Sequence, residues 1–179
     1  TFFDEAIDSY VLPDIQRLTE HIRPDDTGTK PGLRGCTIPL AMMLFAVIDL
    51  FGFLTRPDPN ADKRQTSCNL SYLLGKSGYF GQAYKHTAEL LTKIYRHGMM
   101  HQIFPKASAI AKLGLDQPAM IQQGSTLVLN VDRLSSDVVA GIQRIRQNLE
   151  ENRDPQLAMR MNERLRQLEK DDATGISNI

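Results

Sequence analysis

An arginine and a histidine, Arg96 and His101, stand five positions apart where an apolar, helix-like stretch of the sequence ends. Arginine stays positively charged at physiological pH, whereas histidine titrates near neutrality. Together the two residue types suit chemistry on a phosphate group. Few other short spacings in the sequence indicate chemistry, because a G-x-S-x-G elbow, a Walker loop and a G-x-G-x-x-G pattern are all missing from it.

Helix geometry limits how this pair could work. Five residues separate Arg96 and His101 by about 140° around a helix and roughly 7.5 Å along it, so they do not share one stripe. The long arginine side chain could still reach a site next to His101. Gly98, between them, lowers the stability of a helix relative to alanine. A glycine is explained at this position if another backbone or a ligand comes close. Pro105 favours a helix end just before it, which places the pair on a last helical turn.

Residues 96–101, RHGMMH, resemble the Arg-polar-x3-His signature of HEPN domains, which are small all-helical bundles. In that family the signature lies near the end of a late helix, and its second position is commonly Asn, Asp or His, as His97 is here. The resemblance covers the helix pattern of about residues 4–105. Active HEPN members are metal-independent endoribonucleases that pair two copies of the signature across a dimer interface.

The resemblance implies a role for each motif residue. The 2′-hydroxyl of RNA would be the nucleophile, which requires neither metal nor cofactor. His101 would take or deliver the proton, Arg96 would bind the phosphate and stabilise developing charge, and His97 would position substrate or share the proton transfer. The expected partners are RNA or a nucleotide and a second copy of the chain.

The formal net charge of zero hides an uneven distribution. Residues 1–35 sum to −3, whereas residues 56–112 sum to +6 and contain the motif. A local positive surface is what an RNA backbone requires, and we expect Lys85, Lys93 and Lys106 to bind it. The alternative is that these lysines are ordinary solvated side chains. A strong nucleic-acid binder is usually basic overall, which favours this alternative, and no DNA binding is expected.

Asp49 is a carboxylate inside an otherwise apolar helical stretch, where it is costly without a partner. One interpretation is that Asp49 supports the site by orienting Arg96 or a motif histidine. HEPN proteins often carry an acidic or polar residue on an earlier helix near the motif, which fits by analogy. The other interpretation is that Asp49 lies at the solvent-exposed edge of its helix or forms a hydrogen bond with a backbone group.

Two further functions stay open at the sequence level. His97 and His101 have the i, i+4 spacing of metal ligands, but Gly98 stands where a zinc peptidase has Glu, and a third ligand would have to come from His86 or Asp49. No metal is therefore expected. The chain could also be a non-catalytic helical dimer that binds a nucleotide, RNA or a partner protein.

Hydrophobic periodicity predicts a mainly α fold in one domain, with a small β-hairpin and extra C-terminal helices. The resemblance to HEPN domains implies that the helices form an up-and-down HEPN-like bundle. The bundle with the motif is expected over 1–105, the hairpin region over 106–131 and a C-terminal helical pair over 132–179. The predicted helices are 4–23, 38–55, 68–75, 80–103, 134–151 and 155–170, and the predicted strands are 108–113 and 125–131.

The apolar stretch 38–54 is near the short limit for a membrane span, but it contains Asp49 and lacks flanking aromatic anchors. We therefore expect a helix buried in the bundle core and no membrane association. Cys36 and Cys68 form no CxxC pattern and are expected to be free thiols. With no signal-peptide pattern visible, a cytoplasmic protein is expected.

Overall fold

The computed structural model describes residues 1–22, 37–57, 65–96, 108–111 and 113–176. A π-helical stretch, Phe3–Val11, continues directly into the first α-helix. The helices are α1 (Leu12–Ile22), α2 (Thr37–Thr55), α3 (Thr66–Gly75), a 3-10 turn (Gln82–Tyr84), α4 (Ala88–Leu90) with its π-helical continuation (Leu91–Arg96), α5 (Val131–Glu150) and α6 (Pro155–Ile176). The prediction of a mainly helical fold is confirmed.

Helix α2 lies at the centre of the core. It is apolar on all sides, and α1, α3, α5 and α6 all contact it. Its side chains Leu40, Leu44, Ile48 and Phe51 are almost fully buried. By length and composition α2 could also cross a membrane, but more than half of it is covered by the other helices. A helix that is hydrophobic all round is explained here by burial in the core.

Helices α2 and α3 approach each other most closely at Gly52. A Cβ atom built on Gly52 would lie 2.3 Å from the backbone oxygen of Asn69. Glycine is therefore required at this position so that the α3 backbone can lie directly against α2. This contact fixes the position of α3 and of everything that α3 carries.

The prediction of one continuous helix over 80–103 is wrong for its first third. The chain bends over 77–80, forms the 3-10 turn and another turn at 85–87, and becomes helical again only at Ala88. Gly78 has a positive φ of 80°, and Tyr84 is buried with its hydroxyl donating to Asp137 on α5 at 2.7 Å. This tertiary anchor outweighs the local helical pattern. Residues 97–103 lie outside the described part.

A three-stranded sheet stands where a two-stranded hairpin was predicted. Its strands are β1 (Ser108–Ala111), β2 (Met120–Gln123) and β3 (Thr126–Asn130), in the order β1-β3-β2. The two predicted strands, β1 and β3, pair in parallel, and the hairpin joins β2 to β3 through Gly124, which has a φ of 61°. The short β2 segment, with two apolar residues followed by two polar ones, lacks the alternation that predicts a strand.

The buried side chain of Asn130 organises the loop between β1 and β2. Its Oδ1 accepts from the backbone N–H of Leu113 at 3.1 Å, while its Nδ2 donates to the carbonyls of Gly114 and Gln117. Asp132, two residues on, accepts from the N–H of Gly114 at 3.0 Å. The start of α5 is thus tied to the sheet.

The C-terminal helices pack on the same core as the N-terminal ones. Helix α5 contacts α1 as well as α2, and Arg146 on α5 pairs with Asp8 at 2.5 Å. Helix α6 extends to Ile176, six residues beyond the predicted helix end at 170.

Candidate functional site

The helical segment 88–96, formed by α4 and its π-helical continuation, leads to the Arg-x4-His motif. One face of this segment packs into the bundle through the buried residues Ala88, Leu91 and Thr92. Arg96, one helical turn beyond Thr92, is the last residue of this segment that the structure describes, and only its backbone is described. The side chain of Arg96 and residues His97, His101 and Lys106 lie outside the described part, so their predicted roles stay predictions.

The two described lysines of the predicted RNA-binding set are both exposed. Lys93 forms an ion pair with Glu89 one turn earlier, at 2.6 Å, and this contact holds the pKa of the Glu89 carboxyl below its usual range. Lys85 lies in the turn before α4. An exposed pair of this kind contributes little to stability, so Lys93 is free to exchange Glu89 for an external anion.

Asp49 joins α2 to α3. Its Oδ2 accepts a hydrogen bond from the hydroxyl of Thr66 at 3.0 Å, and its Oδ1 accepts one from Nδ2 of the buried Asn69 at 2.8 Å. Both carboxylate oxygens of Asp49 therefore accept hydrogen bonds from side chains of α3. The alternative expectation, a hydrogen bond with a backbone group, is not what these contacts show. The predicted contact of Asp49 with Arg96 or a motif histidine involves side chains that the structure does not describe.

A cavity of about 640 Å³ opens between the end of α2, the outer face of α3 and segment 88–96. The end of α2 contributes Arg56, and segment 88–96 contributes Glu89, Thr92 and Lys93. Helix α3 and the residue after it line the opposite wall. The side chains from that wall are Ser67, Cys68, Ser71, Tyr72 and Lys76.

Arg56 is the most unusual residue of this cavity. It is only 6% exposed, and its Nε finds no hydrogen-bond acceptor among the described residues. A buried arginine is costly unless an acceptor satisfies it. In the sequence, Arg56 stands out only as part of the basic stretch 56–112. A cation placed directly after a long apolar helix was the available signal, since such a residue is drawn toward the negative end of the helix dipole.

The hydroxyl groups of the cavity differ in what they can donate. Thr92 already donates its hydroxyl proton to the carbonyl of Ala88 at 2.8 Å. Partial burial raises the pKa of the Tyr72 phenol, so Tyr72 keeps its proton at neutral pH and can donate it. The thiol of Cys68 is free and exposed at the cavity wall, where it contacts Gln65.

Metal binding finds no support in the described residues. No three His, Cys, Asp or Glu side chains within that part of the chain are grouped as metal ligands. His86, suggested as a possible third ligand, is exposed in the turn before α4. The described cavity is instead cationic and rich in hydroxyl groups, a combination that suits an oxyanion.

Comparison with known proteins gives no relative: no family model matches the sequence, and no curated protein or solved structure matches it either. The class of the protein therefore has to be argued from its fold, its motif and its cavity.

Proposed function

We propose that this chain is a HEPN-like, metal-independent endoribonuclease. The observation that supports this proposal is the position of Arg96 in a late helical segment whose inner face is packed in a helical bundle. That is where the motif is expected to lie in a HEPN domain. Lys85, just before this segment, and Lys93, on it, are both exposed and add positive charge to this part of the described chain.

The proposed reaction uses the RNA's own 2′-hydroxyl as nucleophile. His101 removes or delivers a proton, and it works best with a pKa near the operating pH. Arg96 binds the phosphate and stabilises the charge that develops in the transition state. His97 positions the substrate, and a two-fold dimer brings two motif copies to one phosphate. The products are a 2′,3′-cyclic phosphate and a 5′-hydroxyl.

Incubation with a mixed RNA pool in excess EDTA tests this proposal. Wild-type protein is expected to cleave the pool, and His101→Ala is expected to reduce the rate about 10²- to 10⁴-fold, the usual contribution of a general acid or base. His86→Ala is the matched control, because His86 is an exposed histidine outside the motif. RNA with 2′-O-methyl groups should resist cleavage. Equal cleavage by wild type and His101→Ala would contradict the proposed mechanism.

A non-catalytic function is the second candidate, and the Arg56 cavity favours it. Under this hypothesis the chain binds a nucleotide, RNA or a phosphorylated partner without cleaving it. His101→Ala would then leave binding unchanged, and no wild-type cleavage would be seen in the same RNA pool. Arg96→Ala does not separate the two functions, because the arginine binds phosphate in both.

A further inference from the structure

We propose that the cavity around Arg56 binds a dianionic phosphate group, as a nucleotide's terminal monoester or as free phosphate. This goes beyond the proposed ribonuclease, whose scissile group is a phosphodiester with a single negative charge. The site would hold phosphate whether or not the chain cleaves RNA. A cavity of about 640 Å³ is of the size that small-molecule ligands occupy in proteins.

The charge of the cavity wall favours a dianion. Among the described residues that line it, Arg56, Lys76 and Lys93 stand together with one acidic side chain, Glu89, which gives these residues a formal sum of +2. A phosphate monoester carries about −1.5 to −2 charges at pH 7, because its second pKa is about 6. Since Glu89 is exposed and already pairs with Lys93, the ligand and Glu89 would share that lysine.

Arg56 provides the specific contact. The guanidinium group presents its N–H donors in a planar fork that matches two phosphate oxygens. Nε of Arg56 is buried without an acceptor in the described structure, and a bound oxyanion would contact the part of Arg56 that lines the cavity. An arginine kept solely for packing would be expected to bond a carbonyl or carboxylate nearby.

Hydroxyl groups, which are uncharged hydrogen-bond donors, line the cavity together with the charged side chains. The hydroxyls of Ser67, Ser71 and Tyr72 line the same cavity, and none of them has a hydrogen-bond partner among the described residues. Tyr72 remains protonated at neutral pH, as described above, and so acts as a donor. Phosphate oxygens accept several hydrogen bonds each, so the hydroxyls nearest to the bound group would add to the contacts made by the cations.

Calorimetric titration tests the ligand class. Inorganic phosphate and adenosine 5′-monophosphate are expected to bind, whereas adenosine is not, and the monoanionic 3′,5′-cyclic adenosine monophosphate should bind about tenfold more weakly or worse. Binding of the 5′-monophosphate more tightly than free phosphate would support a nucleotide, and equal affinity would support phosphate itself. No binding of either at millimolar concentration would overturn the proposal.

Two substitutions locate the site, and one serves as a control. Arg56→Gln and Lys76→Gln should each weaken phosphate binding by about tenfold or more, as expected for loss of a charge-assisted hydrogen bond. Lys85→Gln should bind phosphate like wild type, because Lys85 is an exposed lysine that does not line the cavity. Lys76 is also exposed, so its variant should fold even if Arg56→Gln does not. Wild-type affinity in Lys76→Gln and in folded Arg56→Gln would overturn the assignment.

Cys68 offers an independent readout of occupancy. In a Cys36→Ser background, alkylation reports on the Cys68 thiol at the cavity wall. Phosphate at ten times its Kd should slow that reaction about tenfold, because roughly nine in ten sites are then occupied. His101→Ala is expected to show the same protection, so failure of the ribonuclease proposal would leave this one intact. Unchanged alkylation in the presence of bound phosphate would place the ligand elsewhere and overturn the proposal.

Discussion

At the scale of single residues, two polar side chains near α3 show how burial decides a role. Asp49 has both carboxylate oxygens bonded by side chains of α3, whereas Arg56 has a buried nitrogen that the described fold leaves without an acceptor. A polar group whose partners lie within the fold mainly fixes structure, whereas one without such partners can receive a ligand. The two residues are therefore expected to respond differently to substitution.

Asp49→Ala is expected to lower the free energy of unfolding by about 2–4 kcal/mol, because Asn69 is buried and would lose the acceptor of its Nδ2 group. Asp49→Asn should cost less, since the amide oxygen can still accept from Asn69. Urea denaturation followed by circular dichroism measures both changes. Asp14→Ala, which removes an exposed carboxylate paired with Arg17, is the control and should stay within about 0.5 kcal/mol of wild type.

The same variants separate the two interpretations of Asp49. If Asp49 also orients Arg96 or a motif histidine, Asp49→Asn should lose RNA cleavage while keeping its fold. If its function is confined to joining α2 and α3, folded Asp49→Asn should cleave RNA like wild type. Cleavage rates of the two proteins, measured side by side in EDTA, decide between these outcomes.

At the scale of helices and strands, the close contact of α2 with α3 positions the wall of the cavity. Helix α3 carries the serines, Tyr72 and Cys68, and its distance from α2 is set where Gly52 meets the backbone of Asn69. Any side chain at Gly52 would push α3 outward, because the clash is with backbone rather than with a flexible side chain.

Gly52→Ala is expected to destabilise the protein by about 3 kcal/mol, at the upper end of what overpacking costs. Gly75→Ala is the matched control, because a Cβ on Gly75 meets its nearest neighbour, the Cβ of Ala88, at an ordinary 3.7 Å. This control should be neutral or stabilise by up to about 1 kcal/mol, since alanine favours a helix over glycine. Similar destabilisation of both variants in thermal unfolding would contradict the role assigned to the α2–α3 contact.

Hydrophobic periodicity was sufficient to predict most helices. Ile7 and Ile15, which share one face of the predicted helix 4–23, are buried, and α2 begins one residue before its predicted start. The pattern failed where a distant contact decides the backbone: the buried Tyr84 anchors its turn to α5, and the parallel pairing of β1 with β3 depends on residues about 19 positions apart. The cavity could not be predicted because its walls come from three separate stretches of the chain.

At the scale of the whole molecule, the ribonuclease proposal requires two copies of the chain. Each protomer supplies one Arg96 and one His101, and a two-fold axis would bring both sets to one phosphate. A heterodimer of two differently inactivated protomers would then retain one arginine and one histidine at the shared site.

Arg96→Ala and His101→Ala proteins, each nearly inactive alone, should therefore cleave RNA when co-expressed and purified as a mixed dimer. Since loss of a general acid or base costs about 10²- to 10⁴-fold, partial restoration should exceed either variant alone by at least about tenfold. The restored activity is measured as the rate at which the mixed dimer cleaves a defined RNA, with the two homodimers as controls. A mixed dimer no more active than its parents would argue against a site shared between protomers.

The central position of α2 has a consequence during synthesis of the chain. Helix α2 is completed at Thr55, but α5 and α6, which cover part of it, end only at Glu150 and Ile176. At the usual elongation rate of about 5–20 residues per second, roughly 6–24 seconds pass before the last of this cover has been translated. Throughout that interval the nascent chain holds a membrane-like helix that is only partly shielded by α1 and α3. The yield of folded protein in a cell should therefore depend on chaperones that bind apolar segments at the ribosome.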